Sequence, residues 1–507
     1  MVHDNLKILL VYPQYPETFW SFKHALKFIS KKAAFPPLGL LTIASMLPDT
    51  WEKKVIDMNI YPLTDKDIKW ADYVFLSAMS VQRESALTVI SRCGQLGTKI
   101  VAGGPLFTTE SESFTGIDHL VLNEAEITLP QFLHDLENNC LKYEYRATGY
   151  PDICLTPIPS WDLIDMKKYS SMSIQYSRGC PFDCEFCDIV LLNGHKPRTK
   201  EKDRILEELD AIYNQGWRSN VFIVDDNFIG NKRKLKAEIL PAIIEWMNLK
   251  KYPFSLFTEA SINLADDEDL IQLMVKAGFD TVFVGIETPN EESLAECGKS
   301  QNKNRDLVLS VKKLQNSGLQ VHGGFIVGFD NDPVSIFENQ INFIQKSGIV
   351  TAMVGLLNAP PGTKLHQRLK RENRLTREFS GNNTDFSINF VPKMNHTTLL
   401  NGYQSILKNI YSPNKYYERI KTFLREYKPS TRKVFSIRQF EYIKAFFRSM
   451  WVLGMREKGR RYYWRLLVWT LVKRPRSFQM SVTLLIYGLH FRKVVERYDN
   501  LPVKSNA

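Results

Sequence analysis

The chain is 507 residues long, 44% hydrophobic and 24% charged, with a formal net charge of +11. That length is expected to fill roughly two to four domains with ample apolar residues for large cores, and no apolar run reaches the ~18 residues a bilayer-spanning helix needs. Met1-Val2-His3-Asp4-Asn5 leads straight into a strand pattern rather than a secretory leader, so a cytoplasmic chain in a reducing compartment is expected.

From about residue 5 to 145, short apolar strands alternate with helix-length segments. Strands are expected at 6–12, 54–58, 73–78, 99–102 and 119–122, and helices near 38–47, 84–96 and 129–136. This alternation predicts an α/β domain, a parallel sheet with helices on both faces. Ligands of such sheets sit at the carboxyl ends of the strands. Those ends carry Ser77-Ala78-Met79, Gly103-Gly104-Pro105 and Asn123-Glu124-Ala125-Glu126, which makes Ser77, Met79, Gly103, Gly104 and Glu124 candidate binding residues.

A linker with Pro151, Pro157 and Pro159 leads into Ser177-Arg178-Gly179-Cys180-Pro181-Phe182-Asp183-Cys184-Glu185-Phe186-Cys187. The spacing brings three thiolates toward one point from a single loop. Iron–sulfur clusters are held by Cys thiolates, and a cubane on three cysteines keeps one iron open for chemistry. Zinc is the alternative, but it commonly takes four ligands in paired groups. No second Cys or His pair has that spacing, and His195 is a lone loop histidine. A disulfide framework is disfavoured because Cys93, Cys140, Cys154 and Cys297 are scattered.

Between about 165 and 375 the strand–helix alternation returns, with strands near 171–176, 221–224, 255–258, 281–285, 320–327 and 351–357. Helices are expected at 204–213, 235–247, 269–277 and 307–316. Where such βα units close into a barrel, catalytic residues stand just past the strands. The second strand gives Asp225-Asp226-Asn227, the third Glu259, the fourth Gly285-Ile286-Glu287 and the fifth His322-Gly323-Gly324 through Gly328. Asp226 or Asn231 would equally serve to cap the next helix, and a lone histidine in an apolar strand, His322, reads as a core residue.

The cysteine motif, Cys-x3-Cys-x-aromatic-Cys with Phe186 as the aromatic, resembles the radical S-adenosylmethionine (SAM) enzymes. The resemblance implies a partial (β/α)6 barrel, a [4Fe-4S] cluster on Cys180, Cys184 and Cys187, and SAM as cosubstrate. Asp226 stands where many relatives carry a Gly-Gly-Glu element meeting the SAM amino group. Glu259 joins it as a candidate, Glu287 matches the position that meets the ribose, and the Gly328 region the one that touches adenine. Ser77-x-Met79 with Gly103-Gly104 resembles a cobalamin-binding domain of flavodoxin-like, Rossmann-type fold. The Asp-x-His-x-x-Gly motif that gives cobalt a histidine is replaced by Pro13-Gln14-Tyr15-Pro16; a flavodoxin-like domain with another role is the alternative. The stretch 382–411 and Tyr416-Tyr417-Glu418-Arg419 resemble the C-terminal, mostly helical domain (376–507) of a subgroup with hopanoid C-2 methylases and tetraether ring synthases. Membership of that subgroup implies methylation of an unactivated carbon of a lipid-like substrate. Cyclisation without net methyl transfer, and a non-catalytic cobalamin or redox sensor, are the alternatives. An electron donor such as flavodoxin or ferredoxin is implied.

Between Lys444 and Arg476 there are ten Lys or Arg and one acid, Glu457, interleaved with Trp451, Tyr462, Tyr463, Trp464, Leu466, Leu467, Val468, Trp469 and Leu471. Such a stretch suits peripheral contact with the inner face of a membrane or a packed helical domain with a solvated basic face. A nucleic-acid partner is not expected.

Overall fold

The computed structural model describes residues 5–382, 385–429 and 439–499; the remainder of the expected C-terminal segment lies outside the described residues. In the N-terminal part, β1 (Lys7–Tyr12), β2 (Glu52–Asp57), β3 (Tyr73–Ser77), β4 (Lys99–Gly103), β5 (His119–Leu122) and β6 (Glu144–Arg146) form one sheet in the order β2-β1-β3-β4-β5-β6. Every neighbouring pair is parallel. Period-2 alternation splits its strands between two cores. Leu9, Val11, Val74, Leu76, Ile100 and Ala102 pack with Val89 and Cys93 of helix Arg83–Leu96. Ile8, Leu10, Phe75 and Val101 pack with Leu40 of helix Leu38–Met46 and Phe132 of helix Ala125–Glu137. Helices therefore cover both faces, and the strand order reverses between β1 and β3, the place where such sheets open a crevice. The edge strand β6 extends the sheet beyond the five strands expected, and only Tyr145 of its three residues is buried.

The second sheet follows a different rule. It comprises β7 (Ser171–Ile174), then, after the two-residue antiparallel pair β8 (Ser177–Arg178) and β9 (Arg198–Thr199), β10 (Asn220–Ile223), β11 (Ser255–Glu259), β12 (Phe279–Glu287), β13 (Gln320–Val327) and β14 (Ala352–Leu356). All six long strands are parallel and stand in sequence order from β7 to β14, the expected open (β/α)6 arrangement. Val221, Leu256, Val282 and Val284 are fully buried in a core shared with Leu209, Ile243, Met274 and Val311 of the crossover helices. The alternate residues Phe222, Phe257, Phe283 and His322 are only half-buried, on the opposite face.

Residues 19–35, which lie within the expected 5–145 segment, pack in this second core instead. Trp20 meets Phe283 edge-on at 5.4 Å, and its indole N–H points at Met353 Sδ at 2.9 Å. Phe35 packs on Phe222 and Phe257, centroids 5.2 and 6.0 Å away. The C-terminal segment is helical, with helices His396–Ile410, Pro413–Glu426, Gln439–Trp451, Arg460–Lys473 and Phe478–Asp499. The last of these stacks Phe491 on Phe19 at 4.3 Å. No helix among the described residues is long and apolar enough to cross a membrane.

Candidate active site

The cysteine loop leaves β8 at Gly179, whose φ is +97° and where a Cβ would lie 2.8–3.0 Å from three backbone carbonyl oxygens. Only glycine fits there without strain. Two carboxylates from the end of β10 then fix the loop. Asp226 Oδ2 accepts from the Gly179 N–H at 3.0 Å and from Asn193 Nδ2 at 2.9 Å. Asp225 accepts from the Tyr176 N–H at 2.8 Å and the Ser177 hydroxyl at 2.6 Å; burial pushes its carboxyl up to about 7. Further along, Cys180 N–H donates to Gly194 O (3.2 Å), Glu185 N–H to Cys297 O (2.9 Å) and Leu365 N–H to Glu185 O (2.9 Å). Arg368 grips the Glu185 carboxylate through Nε and Nη2. Asp226 thus holds the loop, and the cap of the following helix is Asn231, which accepts from the Lys234 N–H.

Cys180, Cys184 and Cys187 are partly buried. Burial pushes all three thiols up, and the nearby Lys299 ammonium opposes this in each case. Gln301 Nε2 lies 4.0 Å from Cys184 Sγ. Cys297 is buried with its thiol toward Leu294 O, and His195 faces Asp183 at 3.9 Å; neither makes a fourth ligand. Among the described residues no three His, Cys, Asp or Glu side chains converge closely enough to hold a single metal ion. Three thiols on one pinned loop, with a cation and an amide donor beside them, fit a cluster that has sulfides of its own. Phe186, the motif aromatic, packs against Phe329 at 6.2 Å.

Lys299, which the sequence does not single out, organises the next strand end. Its ammonium lies 2.7 Å from Glu287 Oε1, both groups being largely buried. Burial would lower the ammonium's pKa, but the Glu287 carboxylate and the Cys184 sulfur more than offset this, and it is raised. Glu287 ends β12 beyond an irregularity in the pairing with β13, with φ +62°, a left-handed conformation rare for a residue of its size. Asn302 Nδ2 holds that turn by donating to Gly285 O and Ile286 O. A Cβ on residue 285 would fall within 2.9 Å of the Lys299 nitrogen and closer still to the Glu287 carboxylate. Gly285 thus makes room for that ion pair. Glu259, at the end of β11, has no hydrogen-bond partner among the described residues. Burial, with the Asp226 and Asp225 charges, pushes its carboxyl up to about 8. Gly328 adopts φ +108°, gives its N–H to Asp332 Oδ2 at 2.9 Å and faces Leu399. His322, expected as a core residue, instead stands half-buried on the face opposite the core, where burial lowers its pKa to about 4 and its ring packs beside Trp20.

The N-terminal sheet brings its candidates to one place. Ser77 and Gly103 are register partners across β3 and β4, and a Cβ on Gly104 (φ +87°) would lie 2.5 Å from Ser77 Oγ. Met79 is 41% exposed beside them. Glu124 is committed elsewhere. Its two oxygens meet Arg198 Nη2 and Arg178 Nη1, each at 2.5 Å, while Glu126 takes Arg178 Nη2 at 2.8 Å. In this structure Glu124 ties the N-terminal sheet to the β8–β9 pair rather than facing open space. The reason lies in Arg178, two residues before the first cysteine, which needs buried counter-charge. Arg178 and Arg198, like Lys299, were invisible as site residues because their partners are 52 to 74 and 12 positions away.

Residues 174–344 match the Radical SAM superfamily and residues 363–501 a domain of unknown function, DUF4070. An uncharacterized methyltransferase of Synechocystis sp. is 41% identical over 490 residues, 96% of this chain and 91% of that protein. Hopanoid C-2 methylase of Rhodopseudomonas palustris is 33% identical over 478 residues, covering 92% and 90%. Among solved structures, the cobalamin-dependent SAM radical enzyme OxsB, with aqua-cobalamin and SAM bound, superposes with TM-score 0.62 at 15% identity, over 98% of this chain and 80% of that one. TsrM from Kitasatospora setae, with cobalamin and a [4Fe-4S] cluster bound, gives 0.57 at 14% identity over 74% and 76%. These two share the fold. The near full-length sequence identities reach further: this chain belongs to the radical SAM methyltransferase family that includes hopanoid C-2 methylase.

Proposed function

We propose that this chain methylates an unactivated carbon of a hydrophobic, lipid-like substrate, with a [4Fe-4S] cluster on Cys180, Cys184 and Cys187, SAM and cobalamin as cofactors. The observation that carries the reading is the pinned three-cysteine loop: Asp226 fixes one end, Arg368 the other, and Arg178 ties it to the cobalamin-type sheet. When bound, the reduced cluster and SAM supply a radical that removes hydrogen, and cobalamin supplies the methyl group. The chain orients these groups and excludes water.

Each residue then has a definable task. The Lys299–Glu287 pair sets an oriented dipole beside the cysteines, and the Glu259 carboxyl, raised by burial, is a candidate hydrogen-bonding group for a bound ligand. Ser77, Gly103 and Gly104 form the strand end where cobalamin would lie, with the glycines making room for the Val121 carbonyl and the Ser77 hydroxyl. Phe222, Phe257 and Phe283 make the inner face of the second sheet apolar, covered in part by Phe35 and Trp20, and the kinship with hopanoid C-2 methylase supports a hydrophobic substrate. An electron donor such as flavodoxin or ferredoxin, and a cytoplasmic site of action, complete the reading. Beside the cysteine loop, Asp183, Lys364, Gln367 and Arg371 line an open cleft of about 360 Å³ where such a donor has charged contacts to use.

Anaerobically reconstituted protein, given methyl-deuterated SAM and lipid extract, should yield a lipid carrying the labelled methyl group. A rearranged product without label would replace methylation by cyclisation. No 5′-deoxyadenosine under strong reductant would leave a sensor.

A further inference from the structure

Among the described residues, eight of the 19 exposed large hydrophobic side chains fall within residues 443–472. They are not scattered. Ile443, Phe447 and Trp451 recur every fourth residue on helix Gln439–Trp451, and Met455 follows in the next turn, 52 to 61% exposed. Trp464, Val468, Leu471 and Val472 repeat the pattern on helix Arg460–Lys473, 38 to 70% exposed. Side chains three and four apart share a helix face, so each helix carries an outward apolar stripe. The inward face is apolar as well, with Tyr463, Leu466 and Leu467 buried. A helix at a protein surface ordinarily turns polar residues to water.

The two stripes are joined. Trp464 Nε1 donates to Gly454 O at 3.0 Å, and its ring lies where a side chain on Gly454 would stand. Arg456 sits over the Trp451 ring at 4.9 Å. Around them Lys458, Arg460, Arg461, Arg465, Lys473 and Arg476 are all exposed, with Glu457 the one acid between Lys444 and Arg476. Apolar stripes rimmed by cations match the chemistry of an anionic lipid surface, where acyl chains take the former and headgroup phosphates the latter. The helices are also tied to the barrel. Arg448 donates to Lys27 O and Phe28 O, in the excursion whose Trp20 and Phe35 line the second sheet.

We propose that residues 443–476 form a docking surface for an anionic bilayer, with the two helices lying flat on it. The proposal stands on the surface alone and holds whatever the substrate proves to be. It is tested on full-length protein by sedimentation with mixed phosphatidylcholine–phosphatidylglycerol vesicles against pure phosphatidylcholine vesicles, without turnover. Binding to the anionic vesicles is expected to be ~10-fold tighter or more. Trp451→Glu/Val468→Glu should abolish it, and Arg461→Glu/Arg465→Glu should remove the preference for phosphatidylglycerol, both with unchanged circular dichroism. Brominated lipid should quench tryptophan fluorescence in the wild type more than in Trp451→Phe/Trp464→Phe. No vesicle binding, equal binding by the Glu variants, or self-association that those variants disrupt would each overturn it; the last would assign the surface to a second copy of this chain.

Discussion

Two six-stranded parallel sheets in one chain end in different chemistry. The N-terminal sheet is doubly wound, its order reverses at β1 and β3, and its strand ends are stripped of side chains at Gly103 and Gly104. The second sheet is wound one way, and its strand ends carry ionisable groups held largely out of water: Asp225, Asp226, Glu259 and the Glu287–Lys299 pair. At one end the glycines admit the Val121 carbonyl and the Ser77 hydroxyl where side chains would stand; at the other, ionisable groups are held beside one another. The same βα repeat serves both because winding decides where the strand ends converge.

The strongest way to break that contrast is Cys184→Ala. Cluster assembly and 5′-deoxyadenosine formation should vanish, while cobalamin stays bound to the N-terminal sheet, read by iron content and by the corrin spectrum. Retained SAM cleavage would remove the chemistry from the second sheet. Lys299→Met comes next. It leaves the Glu287 carboxylate buried and unpaired, which should cost ~3–5 kcal/mol in urea unfolding. Lys299→Met with Glu287→Gln should recover much of the stability but not the turnover.

Gly104→Val probes the other region. Its Cβ would meet Ser77 Oγ, and its φ of +87° suits glycine, a strain of about 1–3 kcal/mol. Cobalamin affinity should fall ~10-fold or more with iron loading unchanged; an equal loss of both would mean that the sheets do not act separately. The smallest effect concerns the anchor behind the loop. Burial would raise the Asp330 carboxyl, but Arg374 and Arg368 hold it down to about 2, against an ordinary value of 3.8. A lowered folded pKa contributes stability that is complete above the unfolded value and lost as pH falls from ~4 toward 2. Asp330→Asn should therefore be ~1–2 kcal/mol less stable at neutral pH, with the difference closing toward pH 2 in pH-dependent thermal melts.

Most of the scaffold was legible from local pattern. The strands at 119–122 and 320–327 and the helix at 307–316 fall where periodicity places them, because a period of 2 or 3.6 is written in consecutive residues. The short β6 was missed, since three residues with one buried carry no periodic signal. That residues 19–35 pack on the second sheet has no local signal for a related reason: their aromatics look alike whichever sheet they face.

Sequence alone determined the chain of α/β units and the three-cysteine spacing, because both depend on neighbours a few residues apart. Only the tertiary structure decided which strand-end acids are spoken for. Asp226, Glu124, Glu259 and Glu287 all stand just past parallel strands. One braces the cysteine loop, one ties the N-terminal sheet to the β8–β9 pair through Arg178 and Arg198, one pairs with Lys299, and Glu259 keeps its carboxyl unbonded. The guanidinium, ammonium or amide that makes the difference arrives from 12 to 74 positions away, and a buried carboxylate's state is set by the partner that reaches it.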